Sequence, residues 1–155
     1  MSKDEAFWKA IAEVGAVVSI YDGPVQFQRE FIAVPPKSGH LFASHWCQTE
    51  VCNGGFRQFY ANSTGVLAPE AVEAFKKLGM PGTASVVAEA NSWFGHAYPR
   101  QRQTRELALK TYATLNPESS GPFQELEERF FRLLASESGG FERAAKAFFA
   151  AQDGA

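Results

Sequence analysis

The chain has 155 residues, 45% of them hydrophobic and 21% charged, and its 15 Lys and Arg against 17 Asp and Glu leave a formal net charge of −2. That is an ordinary globular composition, long enough to bury roughly 68–70% of its unfolded surface without a disulfide or metal staple. It has no run of about 18 apolar residues for a membrane span, no apolar h-region after the charged start Met1–Glu5, and too few cysteines (two) for a disulfide framework, so the expectation is a cytoplasmic chain. Charge is even along the sequence, with 8 basic and 9 acidic residues in 1–100 and 7 and 8 in 101–155, so no basic footprint for direct nucleic-acid binding is present.

Periodicity predicts helices throughout and no strand. Ser2-x-x-Glu5 is a capping box, and Phe7, Ile11, Val14 and Val18 follow at helical spacing, with Trp8 and Ala12 widening the stripe up to Asp22-Gly23-Pro24. A short segment with Phe27, Phe31 and Ile32 runs to Pro35-Pro36. Gly39 to Cys52 forms a third helix, with Leu41, Phe42, His45 and Trp46. Phe56 to Tyr60 adds a turn or two. Pro69 opens a helix with Val72, Phe75 and Leu78, which Gly79 and Pro81 stop. Thr83 caps a helix with Val86, Val87, Ala90, Trp93 and Phe94. The 101–115 helix carries Leu107, Ala108, Thr111 and Leu115. Pro122 opens another with Phe123, Leu126, Phe130, Leu133 and Leu134. Gly139-Gly140, the one candidate hinge, precedes a last helix with Phe141, Ala144, Ala145, Phe148 and Phe149. The expected architecture is a single all-α domain over 1–155, a compact bundle of about seven short helices with short connections.

The unusual segment runs from Glu50 to Gly65. Two adjacent glycines cost about 1 kcal/mol each inside a helix, so the helix must break at Gly54-Gly55, or something approaches the backbone too closely for a Cβ. Asn53 is suited to cap the next helical segment, Asn62 to form an Asx-turn, and Phe56, Phe59 and Tyr60 to anchor the turn. Two readings stand. The turn is a structural elbow, or Glu50, Asn53, Gln58, Asn62 and the N–H groups around Gly54, Gly55, Phe56 and Gly65 form a recognition surface.

Asn53-Gly54-Gly55-Phe56-Arg57-Gln58-Phe59-Tyr60-Ala61-Asn62-Ser63-Thr64-Gly65, followed by Ala68-Pro69-Glu70-Ala71-Val72-Glu73-Ala74-Phe75-Lys76-Lys77-Leu78-Gly79, resembles the core signature of a bacterial family of small all-helical proteins. Residues 46–94 carry the resemblance. The family includes a dimeric, acidic DNA-mimic protein that occupies the DNA site of a helix-turn-helix transcription factor. The resemblance implies an all-α fold, a protein partner, with a transcription factor as a candidate, and a homodimer. A mimic needs carboxylates at phosphate-like spacing, one charge per about 1.7 Å of duplex axis. At net charge −2 this requires segregated acids, and the candidates are Glu70 with Glu73, and Glu125 with Glu127 and Glu128. The plainer reading is a solvated helix face with (i, i+3) and (i, i+4) pairs to Lys76, Lys77, Arg129 and Arg132.

Other constellations are weak. His40, His45, Cys47 and Cys52 lie within thirteen positions, but a single helix cannot wrap four ligands around one ion, so no metal is expected. No nucleotide-binding motif occurs, and no cofactor is expected. Tyr98 to Arg105 holds three arginines, read as a solvated loop and first helical turn or as a contact for an acidic partner or second subunit. The resulting expectation is a non-enzymatic protein-binding module without catalytic residues, cofactor or membrane contact. The alternative is a small-ligand-binding protein or hydrolase using the 50–65 turn.

Overall fold

The computed structural model describes residues 1–152. Among them are eight α-helices and two short 3₁₀ segments, with no strand. In chain order they are α1 (Lys3–Val17), α2 (Pro24–Phe31), α3 (Pro36–Ala61), a 3₁₀ turn (Ser63–Leu67), α4 (Ala68–Lys77), α5 (Pro81–Ser92), α6 (Arg102–Leu115), α7 (Gln124–Ser136), a second 3₁₀ turn (Glu137–Gly139) and α8 (Phe141–Ala150).

The capping box forms as the sequence predicts: the Glu5 N–H donates to Ser2 Oγ at 3.1 Å and the Ser2 N–H to Glu5 Oε2 at 2.8 Å. Phe7, Ile11 and Val14 then turn inward, but α1 ends at Val17, and Gly23-Pro24 opens α2 instead of closing α1. Trp8 lies 49% exposed, at the edge of the stripe. The long helix α3 is the axis of the bundle. α1, α4, α6, α7 and α8 all pack on it, and its buried Leu41, Phe42, Cys47, Val51, Phe56, Phe59 and Tyr60 belong to one continuous hydrophobic cluster. Phe56, Tyr60, Phe94, Phe123 and Phe130 meet in stacked, tilted and edge-on pairs 4.9–5.9 Å apart, with stacked and edge-on pairs each adding about 0.5–1.5 kcal/mol to simple burial.

One helix face differs from the sequence expectation. On α6, Leu107 and Leu115 are 66% and 74% exposed, while Arg105 and Leu109 are buried. Phasing on the leucines at 107 and 115 places the inward face one side too far round. The true face runs through Arg105, Leu109 and the half-buried Tyr112 at i, i+4 and i+7.

Candidate functional site

The Gly pair interrupts α3. Gly54 has φ −151° and ψ 21°, and Gly55 has φ 75° and ψ 179°, a conformation open essentially to glycine alone. The helix therefore bends sharply and restarts at Phe56, and the restart leaves new N–H groups without an intrahelical acceptor. The Phe56 N–H donates to Glu127 Oε2 at 2.7 Å, from α7, 71 residues away. The same oxygen lies 2.1 Å from where a Cβ on Gly55 would stand. Gly55 is thus required twice, by its backbone angles and by the close approach of the carboxylate. Asn53 does not cap this restart; its side-chain amide donates to Gln58 Oε1 at 3.3 Å.

A second carboxyl organises the inner side of the bend. Glu50, 9% exposed, accepts from Gln58 Nε2 at 2.6 Å, Thr64 Oγ1 at 2.8 Å and Asn62 Nδ2 at 3.2 Å. Its partners are all neutral amides and a hydroxyl, so burial of the carboxyl is compensated by hydrogen bonds rather than by a cation. Asn62 is extended (φ −89°, ψ 167°), and its amide reaches back to Glu50 instead of closing an Asx-turn. Thr64, absent from the sequence-level candidates, completes the set; its place in the chain gives no hint, because the contact depends on the bend.

Arg105 closes the other flank. It is 1% exposed, and it donates to four backbone carbonyls: Tyr60 at 2.8 Å, Asn62 at 3.0 Å, Pro99 at 3.1 Å and Arg100 at 2.6 Å. Gly65 lies against it, and a Cβ there would stand 2.7 Å from Nε and 2.8 Å from the Phe59 carbonyl oxygen. Tyr98 donates its hydroxyl to the Gly65 carbonyl at 2.7 Å, and Tyr60 donates to Asn91 Oδ1 at 2.7 Å. Burial pushes the ionisation of both phenols well up, so both serve as protonated donors. In the Tyr98–Arg105 segment Gln101 to Thr104 are solvent-exposed, as a loop and first helical turn would be, whereas Tyr98 and Arg105 turn inward to hold the bend. Arg100 forms a two-bond pair with Glu70 at 2.7 and 2.9 Å, and Arg102 reaches the Ala61 carbonyl at 2.8 Å and Glu106 at 2.9 Å.

The candidate acids disperse accordingly. Glu70 is paired with Arg100, Glu73 with Lys76 at 3.3 Å, and Glu127 serves the Phe56 N–H. Glu125 and Glu128 remain exposed at the start of α7. Glu137, not singled out from sequence, accepts from the Gly82 and Thr83 N–H groups at 2.6 and 2.8 Å and so caps α5, whose first residue is Pro81 rather than the predicted cap Thr83.

The histidines and cysteines lie elsewhere. Cys47 is fully buried in the core, and burial pushes its thiol well above the usual range; burial also raises the exposed Cys52. Both shifts disfavour the thiolate, the form a nucleophile needs. His45, Cys52, Trp8, Phe131 and Leu134 line an apolar groove of about 760 Å³ between α1, α3, α7 and α8, whose lining includes none of Glu50, Asn53, Gln58 or Asn62.

No helix among the described residues is long and apolar enough to cross a membrane. Neither a curated protein nor a solved structure matches the chain significantly. A family model described as DMP19-like protein matches residues 33–152, a span that begins just before α3 and takes in the bend, Glu50, Arg105 and Glu127. The chain belongs to the DMP19-like protein family.

Proposed function

We propose that this chain is a non-enzymatic protein-binding module of the DNA-mimic type, acting on a DNA-binding protein from the outer surface of the bundle. One observation carries the reading: Glu50, Gln58, Asn62 and Thr64 of the 50–65 signature bond one another, and the backbone of the bend is held by Arg105 and Glu127. A signature consumed in holding a bend leaves recognition to the exterior. Among the candidate acids, Glu125 and Glu128 are exposed at the start of α7, where they can meet a basic surface. Two acids beside Arg129 and Arg132 do not reproduce a duplex charge field, so the partner's non-electrostatic contacts carry a large share of the affinity.

Affinity capture from a lysate of the source cells, followed by titration of the captured protein with and without competing duplex DNA, tests this reading. The expected result is a DNA-binding partner, weakened by salt, displaced by duplex DNA and weakened again by Glu125→Gln with Glu128→Gln. Binding indifferent to competitor DNA removes the mimicry. Turnover of a hydrolase substrate panel that Glu50→Gln abolishes in a folded protein would replace the reading with the enzymatic one. The assembly is proposed to be a homodimer, which light scattering of the purified chain measures.

A further inference from the structure

A polar cavity of about 340 Å³ opens where α6 starts, between the α1–α2 connection and the first 3₁₀ turn. Arg100, Arg102 and Arg105 all line it, and no acidic side chain among the described residues does. Glu70 and Glu106 pair with Arg100 and Arg102 from outside the lining, while Asp22 is engaged by the Ser19 hydroxyl at 2.6 Å. Arg105 has no carboxylate partner among the described residues, and guanidinium stays charged in proteins. Its four carbonyl acceptors use four of its five N–H groups, leaving one donor over on a side chain that forms the wall.

Two helix starts add to this charge. Gln101 and Gly23, the residues before α6 and α2, both line the cavity, and neither helix start has a side-chain cap. The uncapped start of α6 presents free N–H groups and the positive end of the helix dipole, which together favour an anion, while α2 opens on Pro24, which has no N–H, and adds only its dipole. Ser63 contributes a hydroxyl to the lining, 3.3 Å from Arg102 Nη1. Tyr21, 79% exposed, and Ile20 form an apolar lip at the same opening.

We propose that this cavity binds the phosphate group of a small phosphorylated ligand. Guanidinium forks and helix N-termini suit a multiply charged, tetrahedral oxyanion. The volume sits at the low end of ligand pockets, which limits the ligand to a small molecule, and the Tyr21 lip accommodates the apolar part of its body. The negative net charge of the whole chain keeps extended nucleic acid away from a recess of this kind.

The test is a ¹⁵N-resolved NMR titration of the full chain with inorganic phosphate and with phenyl phosphate, against sodium chloride at matched ionic strength. Saturable shifts of the Arg102 and Gln103 amides are expected with both phosphates and not with chloride. Gln103→Glu adds a negative charge to the wall at an exposed position that the fold does not use. It should weaken both phosphates by roughly tenfold or more, with an unchanged melting temperature. Arg102→Gln should act in the same direction. Chloride reproducing the shifts, phosphate leaving these amides unmoved, or Gln103→Glu binding as tightly as the native chain would each overturn the proposal.

Discussion

Replacing Gly55 by alanine perturbs the bend at its tightest point. The backbone there sits at φ 75° and ψ 179°, and forcing a residue with a Cβ into such a region costs about 1–3 kcal/mol. The new Cβ also lands 2.1 Å from Glu127 Oε2, so the carboxylate must leave. Its departure breaks the 2.7 Å bond from the Phe56 N–H, and a hydrogen bond to a charged group contributes about 1.5–3 kcal/mol. Together the loss is about 2.5–6 kcal/mol, a large part of the about 5–15 kcal/mol that a domain possesses. Urea unfolding followed by circular dichroism should show the midpoint falling steeply with little change in slope. The cycle with Glu127→Ala is sharper: with the carboxylate already gone, Gly55→Ala should cost only its backbone strain, giving a coupling of at least about 1 kcal/mol. A Gly55→Ala protein within about 0.5 kcal/mol of native, a shift ordinary for a surface substitution, or a cycle with no coupling, would refute the assignment of Gly55.

The same geometry predicts three further outcomes. Glu50→Ala removes the shared acceptor of Gln58, Asn62 and Thr64, and should destabilise by about 2–4 kcal/mol in the same urea assay, given about 1–3 kcal/mol for each buried group left unpaired and partial access of water to the amides. Arg105→Lys keeps the charge but offers three donors in place of a planar fork; it cannot span the four carbonyls, and a drop of several °C in melting temperature is expected, with none if the fork is dispensable. Burial holds His40 and His45 below their ordinary value of 6.5; for His40 the nearby Lys77 acts in the same direction and Glu73 opposes. Their folded pKa is depressed, so the unfolded chain binds more protons. Their contribution is fully present above pH 6.5 and is lost as pH falls through it toward the folded values. His45→Gln should flatten the fall in stability between about pH 7 and pH 5.

What could be read from the sequence divides along the distance between interacting residues. The capping box at Ser2, the stop at Gly79-Pro81 and the break at Gly54-Gly55 are local events, set by residues within four positions of one another, and each occurs where the pattern places it. The caps on the restarted α3 and on α5 come from Glu127 and Glu137, 71 and 55 residues away, and no local pattern encodes them. The same distance hides Arg105, which looks like a surface charge in the sequence because its four acceptors are backbone carbonyls that carry no sequence signature. Glu50, Gln58 and Asn62 are visible in the sequence as an unusual polar group; that they bond to one another depends on the bend bringing positions 8 and 12 residues apart into reach.

The signature acts as the hinge pin of the fold, with the Phe56 amide locked onto the α7 carboxylate. Native-state hydrogen exchange of that single amide is the most direct reading. It should exchange only through near-global opening in the native chain, and at least roughly tenfold faster in Glu127→Gln, whose neutral amide is the weaker acceptor. A Phe56 amide that exchanges at the rate of an open loop in the native chain, and no faster after the substitution, would contradict this role.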